Sequence, residues 1–323
     1  MTVRTFLIGR GFGGSVFHAP LIRAVPALEL IGIAGAADAE AAAVAEDADL
    51  IVIATPNRTH FPLARAALEA GKHVVVDKPF TVTLAEADAL IALALQQDRR
   101  LAVFHNRRWD GDFLTVERLL DSGRLGEPSL FEAHWDRFRP ALREGWKEDP
   151  EEGSGLLLDL GPHLVDQALI LFGPPEALTA DVAVQRPGSR VDDYFAVTLH
   201  YGNMRAVLGA STLVAAPRPR FAVHGTGGSF VKSGLDPQEA ELKSGVDPRD
   251  VGRDPRGGVL ILPDGTRETI PTERGRYLAF YEAMAEAVLG GGPVPVEPGE
   301  ARETMRLIDL AARSGREGRR LAV

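Results

Sequence analysis

The first hundred residues alternate short apolar runs with helix-like stretches, and this alternation constrains the fold more than any other feature. The apolar runs, rich in valine, isoleucine and leucine, cover 3–9, 28–35, 49–55, 73–78 and 100–106. Helical patterns lie between them at 15–25, 38–47, 59–70 and 83–97. Because the runs are too apolar to face water on either side, they predict βαβ units and a parallel sheet that helices cover on both faces.

A glycine-rich turn directly follows the first predicted strand. GRGFGG has the pattern G-x-G-x-x-G just ahead of the first helical stretch. Such glycines permit a tight turn, close backbone approach to a pyrophosphate and close packing of helix on strand, and the helix start offers free N–H groups. An ordinary strand–helix turn is the alternative, but the position of the motif favours a dinucleotide site. Its predicted residues are Gly9, Arg10, Gly11, Phe12, Gly13 and Gly14.

Three further motifs follow predicted strands. They are ATPNRTH at 54–60, VDKPF at 76–80 and FHNRRWD at 104–110. In a fold of this kind, cofactor chemistry takes place at the carboxyl ends of the strands. We therefore expect further cofactor-binding residues among these motifs, namely Thr55, Pro56, Asn57, His60, Asp77, Lys78, Asn106 and Arg108.

Lys78 has two interpretations on spacing alone. A lysine at a strand end is usually a solvated charge. Pro79 follows directly, however, and restricts Lys78 to extended backbone conformations. A cation held in that place could orient a substrate hydroxyl and lower the cost of forming an alkoxide.

The connection between the second and third predicted strands is short. AADAEAAAVAEDA has room for one helix, whereas a dinucleotide fold normally inserts a further strand and helix. A parallel crossover needs about a dozen residues, so one helix is enough to make it. We therefore predict one helix and no strand between residues 36 and 48, so that a peripheral strand of the sheet is lost.

Beyond residue 106 the chain changes to short strand-like runs separated by turn residues. These runs cover 130–140, 177–186, 193–201, 204–214, 220–232 and 259–265. Helical stretches cover 112–122, 162–172, 275–289 and 298–316, and 233–258 is predicted to be one long irregular segment. The spacing predicts a large, mainly antiparallel sheet. We expect an α/β protein with two domains, at 1–105 and 106–323.

The stretch LLLDLGPHLVDQAL, at 156–169, places charge in an apolar segment. On a helix, Asp159, His163 and Asp166 fall at i, i+4 and i+7 and share one face. Because proline breaks helix interiors, we predict that the helix begins near Pro162, with Asp159 ahead of its first turn. Charged side chains are rarely buried without partners, so this face is either wet or lines a site.

Composition excludes several classes of protein. The 323 residues include no cysteine, which rules out a disulfide framework, thiolate metal sites and cysteine nucleophiles. A net charge of -9 without a basic stripe argues against nucleic acid as a partner. The first residues lack a signal-peptide pattern, and no run has the length of a membrane span. We expect a soluble, cytoplasmic protein with no membrane partner.

Taken in order, the motifs resemble those of the glucose–fructose oxidoreductase, inositol dehydrogenase and MocA (Gfo/Idh/MocA) family. GRGFGG, ATPNRTH, DKP and a pattern G-x-G-x-x-x-D-x-G-x-H-x-x-D that begins at Gly153 carry the resemblance over essentially the whole chain. FHNRRWDGDFLTV, DRFRP, DLGPHLVDQAL, VDDYF and FAVHGTGGSFVK are similar to a branch that includes NADP-dependent scyllo-inositol 2-dehydrogenases. The resemblance implies an N-terminal Rossmann domain, a C-terminal domain for substrate binding and oligomerisation, and a homodimer or homotetramer.

The family resemblance also implies roles for three residues. Members use a lysine, an aspartate and a histidine around the reacting carbinol, which correspond to Lys78, Asp159 and His163. Oxidation of a secondary alcohol needs a hydride acceptor, supplied by nicotinamide, and a base for the hydroxyl proton. On a cyclic polyol or sugar, we expect His163 to act as acid and base and Lys78 to orient the hydroxyl. Asp159 is expected to bind substrate or to partner the histidine.

The choice between NAD and NADP depends on the end of the second strand. An acidic residue there favours NAD and a nearby arginine favours NADP, but this chain has Gly35 and Ala36, with Asp38 slightly later. The branch resemblance suggests NADP, and Arg10 is the cation of the motif region that could contact a 2′-phosphate. The family usually has glutamate before the lysine, where this chain has Asp77.

Two other functions are compatible with the same residues. A non-catalytic NAD(P)-binding sensor or regulator could use the same fold, although all three catalytic candidates are present. Asp159, His163 and Asp166 could instead ligate a divalent cation together with further ligands. The nicotinamide interpretation is preferred because it also accounts for Lys78 and the glycine motif.

Overall fold

The first sheet of the computed structural model, which describes residues 1–142 and 154–323, is parallel. Its strands are β1 (Val3–Ile8), β2 (Leu28–Ala34), β3 (Leu50–Ile53), β4 (His73–Asp77) and β5 (Leu101–Phe104). Their order is β2-β1-β3-β4-β5. Every residue of β3 and of β5 is buried, as expected for strands that are covered on both faces. The predicted parallel sheet is confirmed.

Helices connect these strands where the sequence predicted them. They are α1 (Ala19–Ala24), α2 (Ala39–Ala43), α3 (His60–Glu69) and α4 (Leu84–Gln96). A wider, π-helical turn over Gly13–His18 leads into α1, and single 3-10 turns precede α2 and α3. A further 3-10 turn, Asn106–Trp109, follows β5. Each polar motif of the sequence therefore occupies a turn at the carboxyl end of a strand.

The short connection between β2 and β3 has the predicted form. Residues 36–48, all of which the structure describes, contain a 3-10 turn over Ala36–Asp38 followed by α2, and no strand. β2 pairs with β1 and lies at the edge of the sheet. The sheet thus keeps its central strands and loses a peripheral one, because one helix is long enough to make a parallel crossover.

A second sheet, formed by nine strands of the described residues, has the order β13-β12-β11-β10-β6-β9-β8-β7-β14. The pair β6–β9 is parallel and every other neighbouring pair is antiparallel, which confirms the predicted mainly antiparallel sheet. The strands are β6 (Pro128–Asp136), β7 (Ala177–Ala183), β8 (Tyr194–Tyr201), β9 (Met204–Ser211), β10 (Phe221–Gly225), β11 (Gly228–Lys232), β12 (Gly258–Ile261), β13 (Arg267–Ile270) and β14 (Leu321–Ala322).

The remaining helices are α5 (Gly111–Asp121), α6 (Leu156–Phe172), α7 (Gln238–Lys243), α8 (Leu278–Gly290) and α9 (Pro298–Glu317). The expectation that 233–258 is irregular throughout is wrong, because α7 lies within it. Its six residues are too few to show a helical period in the sequence. Among the described helices, none is both long and apolar enough to cross a membrane.

The start of α6 corrects a prediction. The helix begins at Leu156, so Pro162 lies inside it and Asp159 belongs to its first turn. Asp192 makes this early start possible: its carbonyl accepts the Leu156 N–H at 2.9 Å and its carboxylate accepts the Leu157 N–H at 2.6 Å. These contacts satisfy N–H groups that a helix start leaves open. The missing N–H of Pro162 costs a helix about 3 kcal/mol, which burial of the surrounding residues offsets.

One face of α6 packs on the second sheet. Phe131, Ala133 and Trp135 alternate along β6 and point to the same side, where they join the hydrophobic core. Leucines of α6 fill the other side of this core, among them Leu157, Leu160 and Leu164. His163 lies between these leucines in the sequence, which places the predicted acid/base residue at a buried helix–sheet interface.

The chain forms two compact units, and neither is continuous in sequence. One unit contains Met1–Asp110, Pro237–Gly252 and Gly275–Glu303, and the other contains Gly111–Asp236, Arg253–Arg274 and Thr304–Val323. The units therefore differ from the two continuous segments, 1–105 and 106–323, that the sequence suggested. They differ because two segments from the second half of the chain pack with the parallel sheet.

Polar contacts join these two segments to residues 1–110 of the same unit. The Tyr277 hydroxyl donates to Asp110 Oδ1 at 2.6 Å, and Arg107 contacts both Tyr277 and Glu239. α7 packs against the π-helical turn, and the Lys243 ammonium lies 5.7 Å from the centroid of the Phe12 ring. Residues of the motif FHNRRWD thus form the turn after β5 and also bind the two later segments of the unit.

Candidate functional site

The glycine turn has open space beside Gly11 but none for a side chain at Gly9 or Gly14. A Cβ on Gly9, where φ is +131°, would lie 2.1 Å from the Ala54 carbonyl oxygen. A Cβ on Gly14 would lie 2.0 Å from the Gly9 carbonyl oxygen. Gly11 is exposed, and a Cβ there would meet no atom within 4 Å. Gly9 and Gly14 are thus required by packing, and Gly11 keeps the backbone open as close approach of a pyrophosphate requires.

Asp77 lies directly behind this turn. Its Oδ2 is 2.8 Å from where a Cβ of Gly13 would be, and its Oδ1 accepts the backbone N–H of Lys78 at 2.8 Å. Burial alone would raise the pKa of Asp77, but the hydrogen bond and charge of His18, aided by Lys78 and His60, bring it below its usual value. The carboxylate therefore lies between the Lys78 backbone and Gly13 of the glycine turn.

Two residues that sequence analysis missed extend this contact. His18 is fully buried, with Nε2 3.5 Å from Asp77 Oδ2 and Nδ1 2.5 Å from the Tyr281 hydroxyl. Burial raises the pKa of Tyr281 well above its usual value, so the hydroxyl keeps its proton. His18 belongs to no motif, and Tyr281 is distant in sequence. A histidine in the otherwise apolar stretch before α1 was the available signal.

His60 joins the loops that follow β3 and β4. Its Nδ1 is 2.9 Å from the Pro79 carbonyl oxygen and its Nε2 is 2.9 Å from the Thr55 carbonyl oxygen. Burial lowers the pKa of this imidazole despite the nearby carboxylate of Asp77. Both ring nitrogens face backbone groups, so His60 positions the two loops. The peptide bond between Lys78 and Pro79 is cis.

The other predicted cofactor residues occupy turns of the same unit. The Thr59 hydroxyl donates to the Thr55 hydroxyl at 2.7 Å, and Pro56 precedes the 3-10 turn that starts at the buried Asn57. Asn106, also buried, starts the turn after β5. The Arg108 guanidinium lies 2.7 Å from Glu300. The structure thus brings the predicted residues of this unit to one edge of the parallel sheet.

Arg10 reaches from the glycine turn to the end of β2. Its Nη2 donates to the Ile33 carbonyl oxygen at 3.0 Å, and its Cδ would lie 3.7 Å from a Cβ on Gly35. Arg10 itself is exposed. An exposed guanidinium therefore stands where the ribose-reading residue of a dinucleotide fold is found.

The second unit holds the other two catalytic candidates. Asp159, His163 and Asp166 share one face of α6, as predicted, with Asp159 half-buried and the other two buried. The His163 ring lies 5.8 Å from the Trp135 ring, centroid to centroid, at an interplanar angle of 31°. Gly153, which begins the motif, lies outside the described residues.

A metal centre would need several ligating side chains in one place. Among residues 1–142 and 154–323, no group of three or more histidine, aspartate and glutamate side chains is arranged to hold a metal ion. The shared face of α6 therefore supplies no ligand set within the described part of the chain.

Comparison with protein families matches both parts of the chain. Residues 3–105 match the NAD-binding Rossmann fold of the GFO/IDH/MocA oxidoreductase family, and residues 117–323 match its C-terminal alpha/beta domain. Together these matches span nearly the full sequence.

Individual relatives agree with the family match. The chain is 48% identical to the uncharacterized oxidoreductase YdgJ of Escherichia coli K12, over 97% of this chain and 96% of YdgJ. It is 36% identical to the scyllo-inositol 2-dehydrogenase (NADP(+)) IolW of Bacillus subtilis, over 98% and 95%. The solved structure of YPO2259 from Yersinia pestis is 45% identical and has a TM-score of 0.94, covering 100% of this chain and 97% of that one.

Proposed function

Because this chain belongs to the Gfo/Idh/MocA oxidoreductase family, we propose that it transfers a hydride between NADP and a secondary alcohol of an inositol-like cyclic polyol or sugar. Family membership makes the protein an NAD(P)-dependent dehydrogenase. The substrate class and the preference for NADP are the proposed parts. The full-length similarity to a scyllo-inositol 2-dehydrogenase supports both.

The polar face of α6 carries this proposal. A half-buried carboxylate, Asp159, lies one helical turn before the buried imidazole of His163. In the other unit, Lys78 follows a strand of the parallel sheet, and Asp77 fixes its backbone. A cation, a carboxylate and an imidazole are groups that can take up the hydroxyl proton of a carbinol and stabilise the charge that develops on its oxygen.

Each group has a distinct proposed role. When bound, the nicotinamide ring accepts or donates the hydride. His163 takes the hydroxyl proton during oxidation and returns it during reduction, since imidazole titrates near neutral pH. The Lys78 ammonium orients the hydroxyl and stabilises developing negative charge on its oxygen. Asp159 accepts hydrogen bonds from the substrate or orients the imidazole of His163.

The cofactor would be held by groups of the first unit. Backbone N–H groups around Gly11, where the structure leaves open space, and at the start of the π-helical turn would bind the pyrophosphate. Arg10 supplies the charge that a 2′-phosphate needs, from its place at the end of β2. Thr55, Asn57 and Asn106 lie at the strand ends where the nicotinamide ribose would be bound.

An activity screen tests the proposed substrate class. The purified protein is incubated with NADP or NAD and a panel of inositol isomers, other polyols and aldoses, and NAD(P)H absorbance is followed. We expect turnover with at least one cyclic polyol and faster turnover with NADP. Tight NADPH binding without turnover of any polyol or sugar would contradict the proposal and favour a sensor. Loss of activity with a chelator would favour a metal-dependent enzyme.

The homodimer or homotetramer implied by the family resemblance stays a prediction. Light scattering coupled to size-exclusion chromatography measures the molar mass directly. A mass equal to one 34.7 kDa chain would contradict it.

A further inference from the structure

Trp135 links the proposed acid/base residue to a buried cation. The Trp135 ring contacts the His163 ring at 5.8 Å, and the Arg220 guanidinium carbon lies 5.2 Å from the centroid of the Trp135 ring. All three side chains are at most 5% exposed. Within the second unit, a guanidinium, an indole and an imidazole therefore contact one another in sequence.

Arg220 also contacts α6. Arg220 Nη2 donates to Gln167 Oε1 at 2.7 Å, and Gln167 lies one helical turn after His163 on the same helix face. Arg220 also lies over the Phe221 ring at 4.1 Å and has its Nε 3.8 Å from Asp112 Oδ2. Trp135 and Arg220 thus connect two residues of α6: Trp135 contacts His163, and Arg220 contacts both Trp135 and Gln167.

We propose that Trp135 and Arg220 are positioning residues for His163. Trp135 restricts the orientation of the imidazole ring, and Arg220 holds Trp135 and disfavours the positively charged form of the histidine. A guanidinium keeps its charge at every pH at which proteins are folded. A nearby fixed cation therefore favours the neutral imidazole, the form that accepts a hydroxyl proton.

The charges around His163 come from several elements. On α6 these are Asp159 and Asp166, whose carboxylates favour the imidazolium. From the sheet side, Arg220 and Arg137 both lie over the Trp135 ring, Arg137 at 5.7 Å. α5 contributes Asp112, next to Arg220. The hydrophobic core beside His163 also includes Phe195 of β8, Leu208 of β9 and Leu307 of α9.

The chain offers a matched control for each proposed residue. Phe131 lies on the same face of β6, and its ring contacts Phe172 of α6 at 5.3 Å. Phe131→Leu therefore removes a ring from the same helix–sheet interface, away from His163. Lys232 is a fully buried cation of the same sheet that pairs with Asp254 at 2.9 Å. Lys232→Met therefore removes a buried charge that does not lie over Trp135.

Enzyme kinetics test the role of Trp135. Removal of a ring that orients a catalytic group is expected to lower kcat about tenfold to a hundredfold in Trp135→Leu, with KM changed much less. Trp135→Phe keeps an aromatic ring and should recover most of this loss. Phe131→Leu should lose stability to urea with little change in kcat. Equal kcat values in Trp135→Leu and Phe131→Leu would overturn the inference.

Titration of His163 tests the role of Arg220 without relying on turnover. Proteins labelled with ¹³C-histidine are titrated by NMR, and His163→Gln identifies the His163 resonance. We expect Arg220→Met to raise the pKa of His163 by about half a unit to one unit, Arg220→Lys to restore it and Lys232→Met to leave it near the wild-type value. An unchanged titration in Arg220→Met would overturn the inference. Since the inference rests on the proposed function, His163→Ala is also assayed: retained turnover would refute the catalytic role alone.

Discussion

The two units hold their polar groups in different ways. In the first unit, Asp77 and His60 are fixed by backbone N–H and carbonyl groups of turns at strand ends. In the second, His163 lies on a helix face beside a hydrophobic core, where its ring contacts Trp135 and Arg220 joins Trp135 to Gln167. The first arrangement depends on the path of the chain and the second on packing. Substitutions in the glycine turn of the first unit should therefore act on cofactor binding, and those beside His163 in the second unit on catalysis.

The largest effect is expected from the catalytic candidates of the two units. Lys78→Met and His163→Ala should each lower turnover about 10²–10⁴-fold, because Lys78 stabilises negative charge on the hydroxyl oxygen and His163 moves the hydroxyl proton. NADPH affinity should stay near the wild-type value, since the Gly9–Gly14 turn is unchanged. Turnover is followed by NADPH absorbance and affinity by NADPH fluorescence. His224→Ala is a control from the second unit, where His224 contacts Ser229. Near wild-type turnover in both catalytic variants would refute the proposed roles.

The next largest effect is expected in the glycine turn, where two substitutions distinguish a loss of stability from a loss of cofactor binding. Gly9→Ala should lower the free energy of unfolding by at least about 2 kcal/mol, because its Cβ would collide with the Ala54 carbonyl at a positive φ. Gly11→Ala should change stability by about 0.5 kcal/mol or less but weaken dinucleotide binding. Urea denaturation and calorimetric titration with NADPH measure the two quantities. If Gly11→Ala binds NADPH as tightly as the wild type, the turn does not approach the pyrophosphate as proposed.

A smaller effect is expected at the cofactor's adenosine end. Arg10→Ala should weaken NADPH binding more than tenfold, beyond about 1.4 kcal/mol, and leave NADH binding nearly unchanged. The guanidinium would be lost as a partner of the 2′-phosphate, which NADH lacks. Dissociation constants for both nucleotides decide the matter, with Arg23→Ala, at an exposed position of α1, as the control. Equal losses for both nucleotides, or no loss for either, would refute the role of Arg10.

The smallest effect concerns a histidine outside the site. Burial, reinforced by Arg99 and Arg100, lowers the pKa of His73 from 6.5 to about 4, and its Nδ1 accepts the Arg100 N–H at 2.9 Å. As pH falls below 6.5, His73 is protonated in the unfolded chain, but in the folded chain it stays neutral until about pH 4. The free energy of unfolding therefore decreases as pH falls from 6.5 to about 4. Because His73 is partly exposed, the loss is about 1 kcal/mol after solvent screening.

Urea denaturation of the wild type and of His73→Gln measures this loss. The glutamine variant has no group titrating there, so its stability should fall less between pH 6.5 and pH 4. Parallel pH dependences of the two proteins would show that the neutral imidazole does not contribute.

The first unit could be predicted from sequence because its determinants are local. Each strand is a continuous apolar run, and the glycines and the short connection at 36–48 fix the path of the chain between strands. The contact of His18 with Tyr281 could not be predicted, since it joins residues that are far apart in sequence. The same holds for the two later segments that complete the unit.

Prediction from sequence was less complete in the second unit. The spacing of Asp159, His163 and Asp166 placed them on one face, which the structure confirms. The position of Pro162 led to a helix start six residues too late, because the cap comes from Asp192 on another part of the chain. Trp135 and Arg220 have no motif that marks them, since the place of Arg220 over the Trp135 ring depends on the pairing of β6 with β10.

The discontinuous first unit has a consequence for synthesis on the ribosome. Asp88 pairs with Arg302 at 2.6 Å, and Asp110 bonds to Tyr277. Neither contact can form before its later residue, Tyr277 or Arg302, has been translated, and the last segment of the unit ends at Glu303. The nucleotide-binding sheet is therefore synthesised early, whereas the two segments that pack with it are synthesised later. For the same reason, a segment of residues 1–105 transferred to another protein would lack these partners.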